Sequence, residues 1–410
     1  MALSRGADRL SPYLFGLFLI ALPFSISAAQ IALGLLAFVT LCRLADPEER
    51  AAFRFPLLAP LLAYAGVTLL SAALSSAPLR GFHASKDLLL IATFFLAVNT
   101  FGGQRRTIRL LGWFFGSISM VSVHGLLQIW ACRSAVIYPG WVEWALRVKL
   151  ETCRAVPLFR AKGFYSIYMT YAGVLLLALT LMLGLLALLP WRETGRVTGA
   201  ALLTTLALGA TFVRNAWVGL VVSFLALFAL TRRVRLLGLA LVPVILLLLA
   251  PGVTMERLKT IADPTDATTR DRLDFWRAGA AMVRARPLLG VGPGNVRLVY
   301  PEYRPPDARR PSIGHLHNNV IQIAAERGIL GLSAWLWIWA AFLTGGLRVY
   351  LRLPSRATSQ RALVAGSLAA SLAFFVAGLF EYSFGDSEVQ MLLWVVLALP
   401  FVVDRWPAQP

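Results

Sequence analysis

Long apolar runs alternate with short polar punctuation along most of this chain. The runs fall at about 10–24, 27–43, 56–76, 87–101, 109–130, 164–189, 198–213, 215–230, 236–250, 329–347, 361–380 and 389–403. About 20 apolar residues cross a bilayer, and short loops join successive crossings. The pattern therefore predicts an all-α integral membrane protein with about 12 transmembrane helices. Two boundaries lie inside nearly continuous apolar sequence. Pro23-Phe24-Ser25-Ile26-Ser27 divides the first run from the second, and Arg214-Asn215 divides the seventh from the eighth. A guanidinium in mid-membrane is costly, so a turn at Arg214 is the cheaper arrangement. One long helix is the alternative at each place.

This pattern divides the chain into three parts. Residues 1–250 hold nine spans and an external loop near 131–163. Residues 251–328 form a long polar loop on the same external side, and 329–410 hold the last three spans. Within the long loop, Leu273, Trp276, Ala280 and Val283 follow helical spacing and predict a helix over about 269–286, ended by Pro287. Asn318 to Glu326 predicts a second, with Val320, Ile323 and Ala324 on one face. Gly328 and Gly331 then let the backbone turn or pack closely where the next span begins. In the 131–163 loop, Trp141 and Trp144 stand among Arg147, Lys149, Arg154, Arg160 and Lys162, the pattern of a short amphipathic helix on a membrane surface.

Composition narrows the class. Of 410 residues, 58% are hydrophobic and 14% charged, which excludes a soluble globular domain and a disordered chain. Lys and Arg number 39 against 20 Asp and Glu, a formal charge of +19. If the N-terminus is inside, the short internal segments carry Arg43, Arg50 and Arg54; Arg105, Arg106 and Arg109; Arg232, Arg233 and Arg235; and Arg348, Arg352 and Arg356. By the positive-inside rule both termini are expected in the cytoplasm and the long loop outside. The first run follows Arg5 and Arg9 without a convincing cleavage site, so it reads as a retained anchor. The dominance of Arg over Lys has two readings, a coding bias and an affinity for phosphate. Cys132 and Cys153 share the external loop, either as a disulfide in an oxidising compartment or as two free thiols.

Three of the four histidines, His83, His315 and His317, fall on the external side. His124, inside the fifth span, reads as a packed residue, and His83, beside Arg80 and Lys86, as a headgroup contact. The pairs Asp263…Asp266 and Asp271…Asp274 are interleaved with Arg and read as a solvated face, so no metal is expected. No nucleotide-binding Gly-X4-Gly-Lys-[Ser/Thr] loop occurs, and no cofactor is expected. A polytopic transporter would place ionisable groups near the bilayer midplane. Here polar groups crowd the external ends, as suits an enzyme working at the membrane surface.

A family resemblance appears at these residues. His317-Asn318, nine residues, Gly328, two residues and Gly331 resembles the His-[Asn/Ser/Gln]-X9-Gly-X2-[Gly/Thr/Tyr] signature of bacterial O-antigen ligases. The wider superfamily shares this Wzy_C region with O-antigen polymerases and protein O-oligosaccharyltransferases. Thr211 to Trp217 resembles the family's Arg-bearing turn. Arg272-Leu-Asp-Phe-Trp276 and Gly290-Val-Gly-Pro-Gly-Asn295 resemble its long-loop helix and Gly-rich exit.

The resemblance implies an inverting glycosyltransferase of the GT-C type acting in lipopolysaccharide biosynthesis, at the periplasmic face of the bacterial inner membrane. Its partners would be an undecaprenyl-pyrophosphate-linked glycan as donor, lipid A–core as acceptor and the membrane lipids, with no nucleic acid. His317 is the expected base. Arg214 and Arg272, with Arg147 and Arg160 as further candidates, would neutralise the pyrophosphate; each also has a plain reading as a snorkelling or headgroup-binding Arg. His315, Asn318 and Asp386 are expected supporting residues. Asn318 reads equally as a helix N-cap, and Glu381 is a second outward carboxylate beside Asp386. Polymerase and oligosaccharyltransferase activities remain open within the superfamily, and a transporter outside it.

Overall fold

A computed structural model describes residues 2–134, 136, 138–156, 158–248 and 267–407. Every regular element among them is helical. The first part holds α1 (Ala2–Ala21), α2 (Ile26–Leu44), α3 (Pro47–Ala52), α4 (Leu58–Ala73), α5 (Pro78–Ala84), α6 (Ala92–Thr100) and α7 (Gln104–Arg133). The loop after α7 carries α8 (Gly140–Leu146) and α9 (Leu150–Ala155). Next come α10 (Tyr168–Leu188), α11 (Trp191–Ala210), α12 (Arg214–Thr231) and α13 (Arg235–Leu248). The long loop carries α14 (Ala267–Ala285) and α15 (Val296–Tyr303), and α16 (Asn319–Arg352), α17 (Thr358–Ala377) and α18 (Ser387–Val403) follow.

Each of the twelve apolar runs falls on helix, the fourth of them partly on a 3-10 turn at Ser85–Ile91 that leads into α6. Among the described residues seven segments are long and apolar enough to cross a membrane: α2, Pro78–Thr100, α7, α10, α12, α16 and α17. Leu10–Ala21, Leu58–Ala73 and Ser387–Val403 are shorter apolar helices. Both internal divisions are present. Pro23 lies in the break between α1 and α2, where Ser25 Oγ accepts the Ala28 N–H and starts the second helix. The second break lies between Ala210 and Arg214, with Phe212 turned through a left-handed φ of 53°.

α10 runs through the centre of the bundle, packed by α11, α12, α17 and α18. Small residues allow the closest approach. A Cβ on Gly184 would lie 2.6 Å from the Gly366 Cα, so at this crossing α10 and α17 meet backbone to backbone. Thr180 and Ser223 hydrogen-bond at 2.7 Å between α10 and α12.

Two small cores lie outside the main one. Cys132 and Cys153 form a disulfide in the first, with Ala131, Val148 and Leu150, fastening α9 to the end of α7. The second groups Phe275, Ala278 and Met282 of α14 with Val296, Tyr300 and Leu316.

Here three expectations need correction. The buried face of α14 carries Phe275, Ala278 and Met282, whereas Leu273 and Ala280 are exposed and Trp276 and Val283 half-buried. Asp271 and Asp274 do not form a solvated face. They lie buried on the same side as Phe275, with Asp271 accepting from Arg310 at 3.0 Å and Asp274 from Arg277 at 3.4 Å. The ion pairs let these carboxylates follow the apolar stripe inward. Asp263 and Asp266 lie outside the described residues. The stretch Asn318–Glu326 is buried nearly all round rather than on one face.

Candidate functional site

The site is built where the start of α16 meets the loop between α17 and α18. The chain approaches through Gly314-His315-Leu316-His317, and His317 takes a left-handed φ of 51°. That conformation is uncommon for a residue with a Cβ, though His adopts it more readily than most. Asn318 then caps α16. Its side-chain oxygen accepts the Ile321 N–H at 3.0 Å, and its amide nitrogen donates to the Leu379 carbonyl at 2.7 Å. Asn319 adds two links to the same loop, donating its backbone N–H to Gly378 at 2.7 Å and accepting the Phe384 N–H at 3.0 Å. The Asn318 amide therefore caps α16 through its oxygen and ties the two loops together through its nitrogen.

This tie brings Glu381 to the histidines. Its Oε2 is 2.9 Å from Nδ1 of His317, and its Oε1 accepts the Tyr382 N–H at 3.1 Å. The Glu381 side chain is 5% exposed against 27% for His317. Burial pushes the Glu381 carboxyl up, but the His317 hydrogen bond and the neighbouring imidazoles outweigh it, so the group titrates below its ordinary value. An ionised carboxylate can only accept, so His317 presents an Nδ1–H to it, and in the neutral ring the lone pair lies on Nε2. Phe275 of α14 lies nearly parallel to the imidazole, with ring centroids 5.7 Å apart.

His315 sits beside the pair. Its Nδ1 accepts the His317 backbone N–H at 3.3 Å and stands 3.7 Å from Glu381, too far for a hydrogen bond. Burial pushes its titration down to about 4, against the opposing pull of the Glu381 carboxylate. His315 is therefore neutral near pH 7. The nitrogens of His315 and His317 and a Glu381 oxygen all lie within 4.8 Å of one another, a donor set that a cation could share. The sequence reading, which expected no metal, did not weigh this set.

A cleft of about 220 Å³ opens at His315, bordered among others by Gly294, Arg297, Glu326, Arg327, Tyr382 and Asp386. Asp386 Oδ2 accepts the Thr170 hydroxyl at 2.9 Å. Burial, reinforced by Glu381 and Glu388, raises its pKa to about 7 against the pull of that hydrogen bond.

Behind the cleft the Gly-rich segment is fixed to a break in α16. Gly328 has φ 65° and ψ −169° within the helix. There the chain opens its backbone groups to neighbours: the Ala325 and Glu326 carbonyls accept from Val291 and Gly292, each at 2.9 Å, and the Ile329 N–H donates to the Pro287 carbonyl at 2.8 Å. Ser71 of α4 bonds both Leu289 and Glu326 carbonyls, at 2.6 and 2.9 Å. The Glu326 side chain accepts from Gly294 N–H, Gln322 and Arg327, at 2.9, 2.8 and 2.6 Å. A buried carboxylate so fully engaged is a structural anchor, since removing one partner of such a pair costs about 3–5 kcal/mol.

The remaining candidates occupy nearby elements. Arg272 is half-buried on α14, one turn before Phe275. Arg214 begins α12, and the adjacent Asn215 donates to the Ala377 carbonyl at 3.3 Å, beside the Gly378–Glu381 loop. Arg160 lies over the Tyr168 ring at 4.5 Å, next to Ala161, whose N–H bonds Ala210 at 3.0 Å. Arg147 donates to the Phe164 carbonyl at 2.9 Å and lies over the Phe164 ring. The structure thus puts His315 and Asp386 at the border of the cleft, with His317 and Asn318 on the tied loop pair beside it. It sets the four arginines on separate segments of the same end of the bundle. His124 is packed, stacked 4.0 Å from Phe164. Arg297, Gln322 and Glu326 are not singled out by the sequence; their local signal is polarity inside or beside the Gly and His motif residues.

Residues 199–336 match the family model described as O-antigen ligase, Wzy_C. The match runs from α11 into α16 and covers Arg214, Arg272, His315 and His317; Glu381 and Asp386 lie beyond it. No curated protein matches the chain.

Proposed function

We propose that this chain is an O-antigen ligase that moves a glycan from undecaprenyl pyrophosphate to a hydroxyl of lipid A–core. The observation that carries this reading is the His317–Glu381 pair, in which the carboxylate holds Nδ1 and leaves Nε2 for the acceptor proton. The acceptor oxygen attacks the anomeric carbon, forming the new glycosidic bond. The bond from that carbon to the pyrophosphate oxygen breaks on the opposite face, so the configuration inverts. The acceptor proton passes to Nε2 of His317, whose positive charge the Glu381 carboxylate then stabilises. The leaving pyrophosphate keeps the bonding pair and is neutralised by guanidiniums rather than by a metal. Arg272 and Arg214 are the first choices, with Arg147 and Arg160 further along the same end.

The proposal includes twelve spans in the bacterial inner membrane, both termini in the cytoplasm, and the His317 end facing the periplasm. The arginine-rich short loops support that orientation. So does the Cys132–Cys153 disulfide on the proposed outer side, since such bonds persist in oxidising compartments.

A strain lacking this chain, complemented with wild type or His317→Ala, tests the reading. Lipopolysaccharide is run on a gel while carrier-linked glycan is assayed. Bare core together with long glycan on the carrier in the His317→Ala strain is the expected result. Core bearing a single repeat would mean a polymerase, which uses the same donor with another acceptor. No change in either would remove the glycosyltransferase reading.

A further inference from the structure

At the end of the bundle opposite His317, an open groove of about 630 Å³ runs between α7, α11 and the adjoining ends of α10 and α17. That is within the range of roughly 300–1,000 Å³ typical of small-molecule sites. Its lining is largely apolar, from residues such as Leu185 and Leu363. Gly112 and Gly116 lie one turn apart on α7 and border the groove; a Cβ on either would meet no atom within 4 Å. The slot is therefore open because these positions lack side chains.

Charge marks one end of it. Arg109 and Arg196 line the groove with a single carboxylate, Glu193. Both guanidiniums are exposed, and among the described residues neither is ion-paired. The first turns of α11 and α17 reach the same end through Thr194 and Ser359, which adds the positive poles of two helix dipoles. An apolar slot between helices of membrane-spanning character, headed by two unpaired arginines, matches an amphiphile with one anionic head. A neutral acyl chain would leave the guanidiniums unused. A zwitterionic head would bring a cation against them.

We propose that this groove binds an anionic glycerophospholipid of the surrounding leaflet, with an acyl chain along Gly112 and Gly116 and the phosphodiester held by Arg109 and Arg196. The site is remote from His317 and independent of the ligase reading. Bidentate Arg contacts favour the phosphate oxygens, and each basic residue near an anionic lipid surface adds to the attraction.

The test uses the full chain in detergent, with phosphatidylglycerol, phosphatidylcholine of the same acyl chains, or glycerol phosphate added. Bound lipid is read by native mass spectrometry and stabilisation by the melting temperature. Wild type should retain phosphatidylglycerol and melt higher with it, and should respond less to phosphatidylcholine and not to glycerol phosphate. Gly112→Leu/Gly116→Leu should lose the bound lipid with an unchanged lipid-free melting temperature, because the new side chains enter open space. Arg109→Ala/Arg196→Ala should weaken phosphatidylglycerol roughly tenfold or more and erase its advantage over phosphatidylcholine. This second variant decides the matter if the leucine pair does not fold. Unchanged lipid retention and preference in the arginine variant would overturn the proposal. An equal response of wild type to glycerol phosphate would also overturn it, because it would make the site one for a free phosphate.

Discussion

Nδ1 of His317 and Oε2 of Glu381 meet at 2.9 Å across 64 residues of sequence. The contact depends on a left-handed turn at His317 and on the double tie from Asn318 and Asn319 to the Gly378–Phe384 loop. Glu381 is buried and held on its other oxygen by its own loop, so the carboxylate is fixed and the imidazole is aimed by it. Such a partner sets the tautomer and steadies the imidazolium that proton transfer creates.

His317→Ala is expected to lower glycan transfer by about 10²–10⁴-fold, the usual worth of a positioned acid–base group. Glu381→Gln keeps a hydrogen-bonding side chain of the same size but can present its amide nitrogen to Nδ1, which disfavours the productive tautomer. Its loss should fall between wild type and His317→Ala, with normal protein in the membrane. Transfer kinetics on purified donor and acceptor check this; a fully active Glu381→Gln would detach the carboxylate from the chemistry.

Gly328→Ala should disturb the site from a distance. Its φ of 65° with ψ −169° is a conformation for glycine, and a Cβ there would run into the Leu288 carbonyl. The backbone strain alone is worth roughly 1–3 kcal/mol. The bonds from Ile329 to Pro287 and from Gly292 to Glu326 would have to yield. We expect a lower melting temperature and reduced transfer together, whereas Gly314→Ala, where the added carbon meets open space, should leave both unchanged.

Much of this fold was readable in advance, for physical reasons. A bilayer forces long apolar runs, so all twelve fall on helix, and the cost of a buried guanidinium marks the turn before Arg214. Glu381 was visible only as one of three carboxylates between the last spans, with Asp386 and Glu388, because nothing local encodes a contact across 64 residues. The face of α14 was misplaced for a different reason. Periodicity weighs Leu273 and Ala280 as apolar and Asp271 and Asp274 as polar, yet Arg310 and Arg277 pair with the carboxylates and allow them inside. Gln322, Glu326 and Arg327 looked like the wet side of an amphipathic helix. They are buried because they satisfy one another and their neighbours: Glu326 accepts from Gln322, Arg327 and the Gly294 N–H, Gln322 accepts the Leu316 N–H, and Arg327 donates to Thr68.

Stability should show two opposed dependences on pH. Asp386 titrates at about 7 in the fold, above its ordinary value, so the folded chain binds the proton more tightly. Its contribution is present at low pH and is lost as pH rises toward 7. His315 titrates at about 4, below its ordinary value, so the unfolded chain binds that proton more tightly. Its contribution is lost as pH falls from the ordinary histidine range toward 4. The two slopes partly cancel between about 4 and 7 in wild type. Asp386→Asn should unmask a loss of stability on acidification, and His315→Asn a loss on raising the pH. Melting temperatures across that window decide; parallel curves for both variants and wild type would contradict the assignment.

Arg272→Ala should impair use of the pyrophosphate donor more than Arg272→Lys, because lysine keeps the charge and loses only the planar fork. The difference should appear chiefly in the donor KM, since Arg272 stands one turn from Phe275 and, among the described residues, makes no tie on which α14 depends. Wild-type kinetics in Arg272→Ala would transfer the pyrophosphate role to Arg214, Arg160 or Arg147.

The last expectation separates guanidinium from metal catalysis. If arginines alone neutralise the leaving group, transfer survives EDTA, and added magnesium has no effect on the chelated enzyme. Zinc ions should inhibit instead. His315, His317 and Glu381 offer two imidazoles and a carboxylate within 4.8 Å, a set that suits zinc, and a bound ion would occupy the imidazole nitrogen that faces Glu381. Inhibition should therefore weaken in His315→Asn, which retains His317. Loss of transfer in EDTA that magnesium or zinc restores would reverse the argument, making the same three side chains a catalytic metal site.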